Sequence, residues 1–200
     1  MIDVEQVKTD KYIFYTFKNI FNSDEMESIW KEALFLCDDD KLIGPEKTGS
    51  AIDENDKLKK SNKGIWLDKI RNLSNYLKIY KKPLSKLSSY KNNDYTLNLY
   101  YYTNKDETLM SYYEDEDYYD SHHDASCYTY VFWLFKEPKC FIGGDLYFND
   151  INHKLQINSN MAVLFPSWAT HSVDKITMIP GIQPYKGFGR FAFSTFFRII

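Results

Sequence analysis

The chain has 200 residues, enough for one domain with a sizeable hydrophobic core. Apolar residues make up 44% and charged residues 26%, a globular balance that excludes a disordered or low-complexity chain. The net charge of -3 carries no basic footprint for nucleic acid, and no apolar run reaches membrane-spanning length, so no nucleic-acid or membrane partner is expected.

The aromatic share is 18%, with 17 Tyr and 14 Phe, which favours strands. Cys37, Cys127 and Cys140 are odd in number and far apart, with no Cys-x-x-Cys pair. They read as reduced thiols, and a soluble cytoplasmic protein is expected. The opening Met1-Ile2-Asp3-Val4-Glu5 lacks the basic-then-apolar character of a signal peptide.

In chain order, residues 12–21 are β-branched and aromatic and predict a strand. Asn22-Ser23-Asp24-Glu25 then supplies N-cap chemistry. A helix follows with Met26, Ile29, Trp30, Ala33 and Leu34 on one face, ending near residues 37–40. Residues 41–63 are polar, with Gly44, Pro45 and Gly49, and read as an irregular, mobile segment. A second helix is predicted over residues 66–79, where Leu67, Ile70, Leu73 and Leu77 share a face, until Lys81-Lys82-Pro83 stops it.

Short strands are then predicted over residues 95–102, 128–135, 145–148, 154–157, 161–165 and 188–199. Gly143-Gly144, Asn149-Asp150, Asn158-Ser159-Asn160 and Pro180-Gly181 punctuate them. Such spacing predicts a jelly roll or barrel. The expectation is a single α+β domain over 1–200: residues 1–90 supply a strand and covering helices, and residues 91–200 the β core. His153 falls in a turn and is expected to be exposed.

Within that core, Tyr119-Asp120-Ser121-His122-His123-Asp124 contains a His-x-Asp pair. Residues i and i+2 of a strand share a face, so His122 and Asp124 reach one point while His123 turns away. His171, in Ser167-Trp168-Ala169-Thr170-His171, joins them if the sheet folds back. Two imidazoles and one carboxylate on one face of a metal, with the other positions open, form the set that holds non-haem Fe(II). Each histidine alone is more often an ordinary core or surface residue; the set carries the expectation.

These residues resemble a known family. Tyr113, Tyr119, His122 and Asp124 look like the Tyr-x-x-Gly-x-x-Tyr-x-x-His-x-Asp run of the prolyl 4-hydroxylase-like 2-oxoglutarate/Fe(II) dioxygenases. Val131 to Leu134 is similar to their next aromatic strand, Gly143-Gly144-Asp145-Leu146 to their Gly-Gly turn, and Met161 to Val173 to the approach to their distal His. The resemblance implies a double-stranded β-helix, cupin-like, with Fe(II) on His122, Asp124 and His171. It implies 2-oxoglutarate as cosubstrate, O2 as oxidant and ascorbate as accessory reductant. Arg190, in the final strand, is the implied anchor for the far carboxylate of 2-oxoglutarate, since a guanidinium pairs with it bidentately; Lys186 and Arg198 are the substitutes. Tyr113 is the implied hydrogen-bond donor to the cosubstrate, and Trp133 a wall of its pocket. Glu116 and Asn160 stand where the family often has Gly.

By the same resemblance, Asp124 marks a hydroxylase, since halogenating relatives replace this carboxylate with a small residue. Phe196 stands where the nucleic-acid dealkylating branch carries a second Arg, so no activity on alkylated DNA is expected. The implied reaction is hydroxylation of an unactivated C–H bond, a peptidyl proline leading and a free amino acid or small metabolite behind. The rival classes are a non-catalytic binding module on a jelly roll and a cupin-like metalloenzyme that works without 2-oxoglutarate. Glu114-Asp115-Glu116-Asp117 reads either as a solvated loop or as an acidic rim for cationic substrates. Trp168 reads either as a lining of the substrate mouth or as a staple of its turn. The substrate loops are expected at residues 41–63 and 103–116, which carry no readable motif.

Overall fold

Alternation of side chains along the aromatic strands sends one set of residues to each face of a large antiparallel sheet. The computed structural model describes residues 1–37, 41–91 and 93–200. Its elements are β1 (Asp3–Lys8), β2 (Ile13–Lys18), α1 (Ser23–Leu36), β3 (Lys63–Trp66), α2 (Asn75–Ile79), α3 (Leu97–Tyr101) and β4 (Lys105–Tyr113). They continue with β5 (Tyr119–His122), β6 (Tyr128–Leu134), β7 (Phe141–Ile142), β8 (Leu146–Phe148) and β9 (His153–Leu155). The last are β10 (Met161–Pro166), β11 (His171–Val173), β12 (Thr177–Met178) and β13 (Arg190–Arg198).

The large sheet has the order β1-β2-β10-β6-β13-β4-β3, and the small one β5-β11-β8-β9; β12 and β7 form a separate pair. Val131 and Trp133 of β6 pack with Phe165, Ala192, Leu146, Phe148 and Val173, which joins the inner faces of the two sheets. Tyr130, Phe132 and Leu134, on the opposite face of the same strand, pack with Ile29, Ala33 and Leu36 of α1 and with Tyr76 of α2. The sheet-on-sheet core is the jelly-roll arrangement expected from the strand spacing.

Helix α1 starts with a full capping box: the Asn22 side chain accepts from the Glu25 amide, and the Glu25 side chain accepts from the Asn22 amide. Cys37 is its C-cap; residues 38–40, included in the expected helix end, lie outside the described residues. The second helix departs from expectation. Trp66 ends β3, residues Leu67–Ile70 form a 3-10 turn, and α2 covers only Asn75–Ile79. Leu67 is fully buried but Leu73 is 77% exposed, so the supposed apolar face is not shared. Ser74 caps the Leu77 amide, and a Glu32 carboxylate oxygen accepts from the Asn75 and Tyr76 amides, which restarts the helix there.

Two further segments are corrected. Residues 95–102, expected as a strand, hold α3, because the Asp94 carboxylate accepts from the Thr96 and Leu97 amides and turns the chain into a helix. Residues 103–116, expected as a variable loop, hold β4, the long strand beside β13. Its charged start, Lys105-Asp106-Glu107, hides six buried residues from Thr108 to Tyr113. Strand β1 has no counterpart in the sequence reading. Among the described residues no helix is long and apolar enough to cross a membrane, and the three cysteines form no disulfide.

Candidate metal centre

His122 closes β5 and His171 opens β11, and the two face one another directly in the antiparallel register. Asp124 follows β5 in a turn fixed by its amide, which donates to the Ser167 carbonyl at 2.9 Å. His122 Nε2 lies 3.6 Å from Asp124 Oδ1, and His171 Nε2 lies 3.6 Å from Asp124 Oδ2. One ligand atom from each of the three residues fits within 4.8 Å of the others. His123 is exposed, as expected, although it lies just beyond the end of β5.

The second layer of contacts fixes the chemistry of this set. His122 Nδ1 is 2.8 Å from the Asp120 carbonyl, and His171 Nδ1 is 2.9 Å from the Ala169 carbonyl. A carbonyl only accepts, so both protons sit on Nδ1 and both Nε2 lone pairs face the carboxylate. Two lone pairs and an anion converging on one point repel unless a cation lies between them. Burial, together with His171, pushes His122 down to about 2, which keeps it a neutral ligand. The two nitrogen-to-carboxylate separations of 3.6 Å, and the 4.8 Å span of the set, are close enough for one ion to be held by all three residues. The residues fit a divalent metal.

Asp124 has its own support. Thr129 Oγ1 donates to Asp124 Oδ2 at 2.6 Å, and the Thr129 and Ser126 hydroxyls lie 2.8 and 2.6 Å from Ser167 Oγ. Tyr119 stacks on His122 with ring centroids 3.5 Å apart and planes within 10°.

The three ligands open into a cavity floored by alternate residues of the large sheet: Ser111 and Tyr113 from β4, Thr129 and Val131 from β6, and Arg190 and Ala192 from β13. Arg190 is 1% exposed. Its guanidinium carbon sits 4.5 Å from the ring centroid of Tyr113, its cross-strand partner. Its Nε and Nη1 have no hydrogen-bond partner. A buried guanidinium with two idle donors is costly without an anion, and a planar fork matches a carboxylate. The Gly143-Gly144 turn, with both residues at positive φ, packs against it: a Cβ on Gly144 would meet Arg190 Cδ at 3.2 Å. Lys186 is exposed, and Arg198, at the far end of β13, pairs with Glu107; neither lines the cavity.

The segment read as mobile supplies a wall. Thr48, Gly49 and Lys60 line the cavity. The segment is pinned to β5: the Ala51 amide donates to Tyr119 Oη, the Asp120 amide to the Lys59 carbonyl, and Lys59 Nζ to the Ser121 carbonyl. Lys60 forms an isolated bridge with Tyr119, which turns its side chain inward. Its Nζ donates to the Thr48 carbonyl at 2.9 Å and lies 5.3 Å from the Tyr119 ring. Burial pulls its ammonium down to about 8, against the attraction of Asp124.

Several candidate residues fall elsewhere. Trp133 is buried between the sheets, and Val131, two residues before it, lines the cavity instead. Trp168 packs edge-on against Tyr12 at 5.2 Å and stays half exposed, a staple of its turn. His153 is half buried in β9 against Phe14, not free in a turn. The acidic run is a solvated turn, with Asp115 and Glu116 exposed, and none of its four carboxylates lines the cavity. Glu114 accepts from the Tyr185 amide, Asp115 from the Met178 amide, Glu116 pairs with Lys175, and Asp117 accepts from the Glu114 amide. Together these carboxylates fasten the excursion before β13. Glu116 and Asn160 both have positive φ, +67° and +61°, so they take up the backbone shape a glycine would supply.

Sequence reasoning missed Lys60, Thr129 and Ser167. Thr129 had a readable signal, a hydroxyl on the inner face of a wholly buried strand. Lys60 had none, being one of four lysines between residues 57 and 63.

No family model and no curated protein matches the sequence. Solved structures do match the fold. A prolyl 4-hydroxylase from Pseudomonas putida aligns over 94% of this chain and 92% of its own, with a TM-score of 0.64 and 16% identity. A prolyl hydroxylase from Trichoplax adhaerens, in complex with a peptide fragment of hypoxia inducible factor, aligns over 92% and 83%, with a TM-score of 0.61 and 16% identity. The viral collagen prolyl hydroxylase of Paramecium bursaria Chlorella virus-1 aligns over 94% and 96%, with a TM-score of 0.55 and 13% identity. The chain therefore has the fold of the 2-oxoglutarate/Fe(II) oxygenases, prolyl 4-hydroxylases among them.

Proposed function

We propose that the protein is an Fe(II)- and 2-oxoglutarate-dependent dioxygenase that hydroxylates an unactivated C–H bond. One observation carries this reading: His122, Asp124 and His171 open into the same cavity as the buried Arg190, whose guanidinium Nε and Nη1 have no hydrogen-bond partner. A pure binding module has no use for two Nε2 lone pairs aimed at one carboxylate. A metalloenzyme without 2-oxoglutarate has no use for a desolvated arginine beside the metal.

Bound there, Fe(II) and 2-oxoglutarate supply the activation of O2, with ascorbate as the expected reductant. The chain's own residues do the rest. His122 and His171 hold their protons on Nδ1 and present neutral nitrogens. Thr129 fixes the rotamer of Asp124. Arg190 orients the far carboxylate of the cosubstrate, with Tyr113 beneath the guanidinium and within reach of the same ligand. The apolar side chains Leu146, Val131, Val173 and Ala192 limit water at the reacting centre.

A prolyl residue is the first substrate class, supported by the fold likeness to prolyl hydroxylases, one of which holds a peptide. A free amino acid or small metabolite is the second. The reduced thiols fit a cytoplasmic setting. The test is succinate release from 2-oxoglutarate with Fe(II), assayed against prolyl peptides, free proline and other amino acids. Succinate that requires both Fe(II) and one such substrate supports the reading; none with any peptide or amino acid refutes the prolyl and amino-acid assignments.

A further inference from the structure

Two buried cations share the cavity, and only one has a role so far. Lys60 is 4% exposed, and its one hydrogen bond, to the Thr48 carbonyl, uses one of three N–H donors. It makes no ion pair among the described residues, and Asp124 is the sole acidic residue in the cavity lining. Burying an ammonium without a directly paired anion is costly, and the Thr48 carbonyl, the Tyr119 ring and the more distant Asp124 offset that cost only in part. The side chain is also deliberately placed. Its bridge to Tyr119 sets its direction, and its ammonium lies over the ring that stacks on His122, one aromatic layer from a metal ligand.

Formal charge sharpens the point. A divalent ion, Lys60 and Arg190 outweigh Asp124 by three charges in a closed lining. A dianionic 2-oxoglutarate on the metal and Arg190 removes two of them. One monoanion then neutralises the site, and Lys60 is the cation left to meet it.

We propose that Lys60 binds a carboxylate of the primary substrate and so sets which carbon lies over the metal. The inference rests on the assignment of His122, Asp124, His171 and Arg190 to Fe(II) and 2-oxoglutarate. It narrows the substrate class to molecules with a carboxylate close to the oxidised carbon. The carboxylate comes either from a free amino acid or related small acid, or from the C-terminus or an acidic side chain of a peptide. An internal, uncharged prolyl segment leaves Lys60 unmatched.

The test uses protein loaded with Zn(II), a diamagnetic stand-in for iron, and 2-oxoglutarate. Thermal shift and calorimetry compare free L-amino acids, starting with L-proline, with their primary amides. They also compare prolyl peptides with free and amidated C-termini, with and without a neighbouring Asp or Glu. At least one carboxylate probe binds and its amide binds at least tenfold more weakly; the probe that succeeds identifies the source. Lys60→Met abolishes that preference at unchanged 2-oxoglutarate affinity, and Lys60→Arg keeps part of it. A 15N shift of the Lys60 ammonium on adding the acid, but not the amide, tests the same contact without substitution, should Lys60→Met fail to fold. Three results overturn the proposal: acids and amides that bind alike or not at all, carboxylate binding untouched in Lys60→Met, or loss of 2-oxoglutarate in that variant. Failure of the underlying assignment shows separately, as wild-type protein that takes up neither Zn(II) nor 2-oxoglutarate, and it overturns the proposal as well.

Discussion

Removing one hydroxyl from the support of Asp124 separates metal affinity from fold stability. Thr129→Val keeps shape and volume but deletes the donor that lies 2.6 Å from Asp124 Oδ2. A hydrogen bond to a charged group contributes about 1.5–3 kcal/mol, which corresponds to roughly 10- to 150-fold in an equilibrium constant. Part of that loss falls on the free protein, so the expected fall in Fe(II) affinity is about 10- to 100-fold, the range typical of groups that hold ligands in place. The 2.8 Å Thr129–Ser167 contact is lost as well, but the Ser126–Ser167 contact and the Asp124 amide bond to the Ser167 carbonyl survive and hold the turn. Thr195→Val is the control. Thr195 is fully buried on the neighbouring strand β13, its hydroxyl pairs with Thr108 at 2.9 Å, and it does not line the cavity. It should cost about 1–3 kcal/mol of stability through the orphaned Thr108 hydroxyl and leave metal affinity unchanged. Anaerobic Fe(II) titration and urea unfolding of both variants give the two numbers. If Thr129→Val binds iron as tightly as the wild type, the carboxylate needs no positioning and this account of the site is wrong.

Arg190→Lys keeps the charge but loses the planar fork, and should weaken 2-oxoglutarate at least tenfold with Fe(II) affinity unchanged, as read by anaerobic calorimetry; equal cosubstrate affinity contradicts the assignment. At Asn160 the side chain accepts from the Phe21 amide and donates to the Phe21 carbonyl, at 2.9 and 2.8 Å. Asn160→Gly keeps the left-handed backbone and loses two bonds of about 1 kcal/mol each, while Asn160→Ala adds about 1 kcal/mol of strain. Urea midpoints in the order Asn, Gly, Ala check this, and Gly at or above Asn refutes it. Burial raises the Asp106 carboxyl, but hydrogen bonds from Lys81 and Arg71 outweigh it and hold the group below the usual range. Its folded value is thus the lower one, so its contribution is complete above about pH 4 and is lost as pH falls through the folded value. Asp106→Asn should flatten the acid limb of stability against pH, and an unchanged limb argues against the pairing.

How much of this the sequence shows depends on whether local pattern or tertiary contact decides each element. The triad was legible from residue type and the short His-x-Asp spacing, although a turn after β5 rather than strand alternation aims Asp124; β6, β10 and β13 were legible from their apolar and aromatic runs. Helix α1 was legible from its capping box. The 66–79 helix was not, because Glu32, more than forty positions earlier, supplies the carboxylate that restarts α2. Strand β4 was hidden by its charged start, Lys105-Asp106-Glu107, and α3 by aromatic residues that suit strands equally well. Lys60 is beyond any local pattern, since its direction comes from one bridge to Tyr119. In the acidic run, Glu114, Asp115 and Glu116 find partners at Tyr185, Met178 and Lys175 that only the fold brings near, while Asp117 accepts from the Glu114 amide within its own turn.

Iron and 2-oxoglutarate are proposed to meet at His122, Asp124, His171 and Arg190. Titrating 2-oxoglutarate into anaerobic Fe(II)-loaded protein should produce the weak visible metal-to-ligand charge-transfer band of the chelate. The band should vanish in His171→Ala. Its absence from iron-loaded wild-type protein, or its survival in His171→Ala, would contradict the account.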